Sequence, residues 1–180
     1  MGLTLRIAEI IEESVTDGPG IRLAVFVQGC RRGCAGCHNP EAQDPMAGRE
    51  ADPAEITAKA LRNPLVEGLT ITGGEPFEQP EEAGALAASA KAAGLSVITY
   101  TGYLWEELLP RLETGKLLKN SDYIVDGPYM EPQRSLALDF RGSRNQRVID
   151  VKASLAAGKV VLAGETWGAP IGAELRNGRG

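Results

Sequence analysis

The sequence predicts an α/β fold, an open or partial β/α barrel built on a parallel sheet. Three observations carry this. Short, apolar, β-branched runs alternate with helix-period segments at the spacing of βαβ units. The alternation weakens after Pro128, and the chain has 180 residues, whereas a complete eight-unit barrel takes roughly 250. No internal repeat, low-complexity linker or shift in composition divides the chain, so residues 1–180 read as one domain. Its core should span about residues 10–163, with the last stretch a loose tail.

The elements follow in order. "LTLRIAEIIEES" reads as a strand or hairpin leading into the turn Asp17–Gly20. "IRLAVFVQG" (21–29) has the composition of a buried strand. "DPAEITAKALRN" (52–63) predicts a helix, with Asp52 as its cap, Pro53 at the first position and Glu55 completing a capping box. "GLTIT" (68–72) is a strand, and the alanine-rich segment from Pro80 to Ala93 a helix that Gly94 stops. "LSVITYT" (95–101) gives a strand, and "YLWEELLPRLE" (103–113) a helix broken or kinked at Pro110. "DYIVDGP" (122–128) is another strand, and "RVIDV" (147–151) and "KVVLA" (159–163) are short ones. Parallel strands joined this way require right-handed crossovers.

Composition narrows the setting. A net charge of −5 speaks against nucleic acid as the main partner, because phosphate binding needs a basic patch. The two candidate patches, Arg31-Arg32 and the Arg141–Arg147 run, are short and local. No stretch has the length of a transmembrane helix, and the N-terminus turns acidic where a signal peptide needs small residues. No membrane association is expected. An odd number of cysteines, clustered too tightly for a disulfide framework, points to the reducing cytoplasm and a metal or redox role.

All three cysteines and the only histidine lie in "GCRRGCAGCHN" (29–39). Structural zinc takes four N/S ligands, usually as two separated pairs. Here Cys30, Cys34 and Cys37 form C-x3-C-x2-C with no distant partner, and His38, adjacent to Cys37, is poorly placed to converge with it on one ion. Electron-carrier clusters use four cysteines. Three thiolates suit a [4Fe-4S] cluster whose fourth iron stays open, and the alternative is three incidental cysteines. "TGGEP" (72–76) ends the next strand, where α/β sheets bind ligands. Two glycines permit close backbone approach and Glu75 adds a carboxylate, although a Gly-Gly turn alone is a weak signal. It matches neither the dinucleotide fingerprint nor the P-loop.

Taken together, C-x3-C-x2-C after one strand and GGEP after the next resemble the radical S-adenosylmethionine (SAM) superfamily. That resemblance implies that Cys30, Cys34 and Cys37 hold the cluster while its open iron chelates the amino and carboxylate groups of SAM. Reductive cleavage then yields methionine and a 5′-deoxyadenosyl radical. It further implies that Gly73, Gly74 and Glu75 meet the methionyl amino group, and that backbone around Gly36, Cys37 and His38 contacts the adenine. Many members carry an aromatic residue before the third cysteine. Gly36 stands there, so stacking on adenine must come from elsewhere. In "TYTG" (99–102), Thr99 and Thr101 align with a strand end that meets the ribose in relatives, and Asp126 is a weaker candidate for SAM or a cation.

"TDGPGIRLAVFVQGC" followed by "CHNPE" is similar to activating enzymes of glycyl-radical enzymes. "DYIVDGPY" and "FRGSRNQRVIDV" (140–151) point to the activating subfamily of anaerobic (class III) ribonucleoside-triphosphate reductase. The implied partners are that glycyl-radical protein and a flavodoxin-like or other low-potential electron donor. The rivals are an activase serving a pyruvate formate-lyase-like partner and, more remotely, a non-catalytic iron–sulfur or zinc module.

Overall fold

Seven strands form one sheet in the computed structural model, which describes residues 3–164 and 167. They are β1 (Leu5–Ser14), β2 (Ile21–Val27), β3 (Arg49–Ala51), β4 (Val66–Gly73), β5 (Ser96–Tyr100), β6 (Tyr123–Asp126) and β7 (Arg147–Asp150). Their order is β3-β1-β2-β4-β5-β6-β7, with β3 and β7 at opposite edges, so the barrel is open as expected. The central strands β2, β4, β5 and β6 are parallel. The sheet as a whole is mixed, because β1, β3 and β7 add in antiparallel fashion. Connection length explains this. Only six residues join β1 to β2, too few for a parallel crossover. Residues 127–146 contain no α-helix to carry the chain back across the sheet, so β7 returns beside β6.

Among the described residues, five α-helices accompany the strands: α1 (Pro53–Ala60), α2 (Pro80–Ala92), α3 (Trp105–Leu108), α4 (Gly115–Asn120) and α5 (Val151–Ala157). At α1 the Ala54 N–H donates to the Asp52 carboxylate at 2.7 Å, with Pro53 in the first turn. After α2, Gly94 takes φ +83° while Gly94 N–H donates to Lys91 C=O and Leu95 N–H to Ala90 C=O, which stops the helix. The segment 103–113 is not one kinked helix. It is the single turn α3, a break around Pro110, then a 3-10 turn at Leu112–Thr114 that leads into α4. Residues 159–163 make only an isolated bridge, Ile149 to Leu162, rather than a strand. The tail expected beyond residue 170 lies outside the described residues.

Alternation along the strands sorts side chains between two faces. Leu23, Val25 and Val27 of β2, Leu69 and Ile71 of β4, Val97 of β5 and Ile124 of β6 are fully buried on the helix side. They pack in one core with Ile56, Leu86, Ala87, Ala90 and Leu117. Each fully buried aliphatic side chain contributes about 1.5–3 kcal/mol. The small residues of α2 let α4 approach: a Cβ at Gly84 would lie 3.0 Å from Leu117 N.

The opposite face carries Arg22, Phe26, Thr70, Thr72 and Tyr100. Arg22 is fully buried near the amino ends of the parallel strands. Its guanidinium donates to Thr70 Oγ1 (2.7 Å), Ser96 Oγ (3.0 Å) and the carbonyls of Pro19, Leu69 and Ser96. It thereby ties the Asp17–Gly20 turn to three strands, and burial holds its pKa down at about 10. Arg22→Met is expected to cost about 2–4 kcal/mol, because several buried acceptors lose their donor at once. A denaturation midpoint unchanged from wild type would contradict this role.

Candidate active site

The cysteine loop leaves the carboxyl end of β2 through Gly29, at φ +98°. Its ends are fixed by Gly29 N–H to Ala42 C=O (2.8 Å) and Cys30 N–H to Gln43 C=O (3.0 Å). Gln28 holds the returning chain by donating to Glu41 C=O and Asp44 C=O. The three thiols are free and half-buried, and burial pushes the Cys30 thiol up. Between them, Gly33 and Gly36 take positive φ, conformations that let so short a loop curl.

The Gly73-Gly74-Glu75 turn packs directly on this loop. Gly74 N–H donates to Val27 C=O and Glu75 N–H to Gly29 C=O, each at 2.8 Å. A Cβ on Gly73 would fall 2.5 Å from Phe26 Cα, and one on Gly74 2.4 Å from Gly29 O. The two motifs, far apart in sequence, are thus one backbone unit.

Glu75 is almost fully buried. Its carboxylate accepts from Thr101 Oγ1 (2.8 Å), Gly102 N–H (2.7 Å) and Phe77 N–H (3.1 Å). Burial outweighs these three bonds and pushes the carboxyl up to about 7. A carboxyl whose folded pKa exceeds its ordinary value of 4.5 opposes folding once it ionises. Stability of the metal-free protein should therefore fall as pH rises from about 4.5 to about 7, by on the order of 3 kcal/mol from this group. Denaturant titrations across that range check the slope, which Glu75→Gln should flatten.

A cavity of about 150 Å³ is lined by Cys30, Cys34, Cys37, Gly73, Gly74, Glu75 and Thr101. It continues into a larger one of about 670 Å³, the two sharing His38, Asn39, Thr72, Tyr100, Tyr129 and Gln146 as walls. Three thiols from one glycine-bearing loop line a common space beside a carboxylate, a donor set whose chemistry suits an iron–sulfur cluster, although among the described residues no three His, Cys, Asp or Glu side chains are gathered to hold a single metal ion.

The remaining sequence candidates divide. His38 is a wall of both cavities, its ring 4.5 Å from that of Tyr129. Gly36 lines neither cavity, and a Cβ there would lie 3.0 Å from the Glu131 carboxyl carbon. Thr101 faces the smaller cavity but is engaged with Glu75. Thr99 does not reach either cavity: alternation turns it to the helix side, where its hydroxyl bonds Ser121 Oγ at 2.8 Å. Asp126 is also turned to the helix side and fully buried. It accepts from Trp105 N–H (2.8 Å) and from the Arg147 guanidinium, so it anchors α3 and β7 instead of facing a ligand. Tyr100 and Tyr129 were missed. The strand parity of Ile98 and Tyr100 against Thr99 was the signal for Tyr100, whereas Tyr129 closes the "DYIVDGPY" motif, in which no periodicity tells where its ring turns.

A family model described as "4Fe-4S single cluster domain" matches residues 16–149. The chain belongs to that family, and within it to the radical SAM activating proteins. The anaerobic ribonucleoside-triphosphate reductase-activating protein of Enterobacteria phage T4 is 34% identical over 140 residues, covering 73% of this chain and 85% of that one. The protein of the same description from Pasteurella multocida is 30% identical over 142 residues, 73% of this chain and 89% of that one. The pyruvate formate-lyase-activating enzyme of Clostridium pasteurianum is 42% identical over 81 residues, but these are 42% of this chain and only 34% of that longer one.

Proposed function

We propose that this chain activates an anaerobic ribonucleoside-triphosphate reductase by installing a glycyl radical on it. The observation that supports this most directly is the shared cavity of the cysteine loop and the GGEP turn, opening into a second space of about 670 Å³. The names of relatives covering most of the chain favour that partner. When bound, a [4Fe-4S] cluster would supply the electron for reductive cleavage of SAM, the source of the radical chemistry that the activation of a glycine needs.

The chain's own residues do the positioning. Cys30, Cys34 and Cys37 hold the cluster. Gly73 and Gly74 would let backbone approach the methionyl end of SAM, and Glu75, oriented by Thr101 and Gly102, would accept from its amino group. His38 and Tyr129, walls of both cavities, would face the adenosyl side, with the backbone at Gly36 and Cys37 adjoining His38 in sequence. The electron comes from a low-potential, flavodoxin-like donor, and the setting is the reducing cytoplasm. Among the described residues no helix is long and apolar enough to cross a membrane.

The test is anaerobic incubation of reconstituted protein with SAM, reductant and the reductase. A glycyl electron-paramagnetic-resonance doublet on the reductase is expected, and its absence would sink the assignment. The similarity to a formate-lyase-activating enzyme supports a second reading, in which the partner is a formate-lyase-like protein. Offering both partners in parallel separates the two, since only the true one acquires the radical.

A further inference from the structure

The segment after β6 builds a flap over the larger cavity. Arg134 and Ser143 bridge in antiparallel fashion, and Arg144 N–H donates to Gln133 C=O at 3.0 Å. The flap's far end is held down by Tyr100, whose hydroxyl donates to Phe140 C=O at 2.7 Å. Phe140 sits at φ +53°, a conformation that bulky residues avoid and that persists only where surroundings enforce it. That backbone twist sets the direction of the next side chain, Arg141, which lines the larger cavity and not the smaller.

Arg141 is incompletely satisfied. Its Nη1 donates to Gln146 C=O at 3.2 Å. Its Nε, buried from solvent, finds no hydrogen-bond partner among the described residues. A buried donor left without an acceptor is uncommon and calls for a cause. The guanidinium edge carrying Nε is one of the two that can hold a carboxylate in a two-point contact. Arg134 lines the same cavity, and Asp17 is the one carboxylate among its described walls, already taken by the Ser14 hydroxyl. No ion pair among the described residues uses either arginine. The cavity is therefore set up for an anionic group.

We propose that Arg141 is the residue by which the larger cavity reads its protein substrate, binding a carboxylate on the partner segment that carries the target glycine. This rests on the activase reading above and adds a specificity residue to it. Leu136, 91% exposed on the same flap, extends the surface that segment meets on entry.

The test uses cluster-loaded protein with SAM and a labelled peptide copied from the glycine-bearing segment of a class III reductase. Its arms are the peptide as it stands, the peptide with acidic residues changed to amides, and the peptide with an amidated C-terminus. Wild-type protein should bind the first saturably, and one of the other two should lose roughly tenfold in affinity, which identifies the carboxylate. Arg141→Ala should weaken binding of the first peptide about tenfold, with added guanidinium restoring it, an effect a merely structural arginine would not show. In the full reaction, KM for the reductase should rise while kcat changes little. Equal peptide binding by wild type and Arg141→Ala, no saturable binding to wild type, or a loss of SAM affinity in place of peptide affinity each overturns the proposal. Wild-type protein that installs no radical on any reductase defeats the activase reading instead, so the two failures are distinct.

Discussion

Replacing Cys30, Cys34 or Cys37 singly by alanine is expected to abolish glycyl-radical formation while leaving the metal-free fold nearly intact. The three thiols are half-buried and take part in no disulfide, and the loop is held by backbone bonds at Gly29, Cys30 and Cys37 that alanine preserves. Each variant should keep its denaturation midpoint to within about 1 kcal/mol, the usual range for partly exposed positions away from special features. Losing one of three thiolates should lower iron content after reconstitution and reduce SAM cleavage by more than about a hundredfold, beyond the loss caused by removing outer partners of a metal. His38→Ala is the informative contrast. Its ring packs on Tyr129 at the shared wall of the two cavities, so iron loading should survive. Wild-type iron content in Cys37→Ala together with loss of iron in His38→Ala would reverse the ligand assignment.

Much of this was legible in the sequence because the relevant signals are local. The strands at 21–27, 66–73, 96–100 and 123–126 announce themselves by β-branched composition, and the caps at Asp52 and Gly94 by residue type alone. The antiparallel edges were less visible, since direction depends on how far a connection travels in space and not on its flanking pattern. Helix α4 escaped because "GKLLKN" is too short to show a period. At the site, the cysteines and GGEP carried their chemistry in their spacing. Thr99 and Asp126 misled for one reason: both polar side chains stand near strand ends on the ligand side, yet alternation turns each to the helix face. There Ser121 satisfies Thr99, and Trp105 N–H and Arg147 satisfy Asp126. The same alternation applied to Thr99 would have put Tyr100 on the cavity side in its place. Tyr129, Gln146 and the strained Phe140 lie in a segment without periodicity, where only the tertiary path of the chain fixes which atoms meet.

Gly74→Ala is expected to damage both the fold and the site with a single methyl. The added Cβ would lie 2.4 Å from Gly29 O and 2.9 Å from both Ala42 O and Val27 O. All three are backbone atoms, so no rotamer change relieves the clash, and either the GGEP turn or the cysteine loop must move. Overpacking of this kind costs about 3 kcal/mol or more, or about 6–12 °C in melting temperature for a chain of this size. Gly94→Ala separates this contact from the general effect of losing a glycine. Gly94 takes φ +83°, but no atom lies within 4 Å of the place its added methyl would occupy, so alanine there meets only backbone strain of about 1–2 kcal/mol. The two variants should differ most in their chemistry. Gly94→Ala should load iron and bind SAM as wild type does, because its helix end is remote from the cavities. Gly74→Ala should lose both, since Gly74 N–H to Val27 C=O and Glu75 N–H to Gly29 C=O are the bonds that hold the carboxylate turn against the thiol loop. If Gly74→Ala melted lower yet bound SAM with unchanged affinity, the close seating of the two motifs would matter for stability alone, and their union would not be what makes the site.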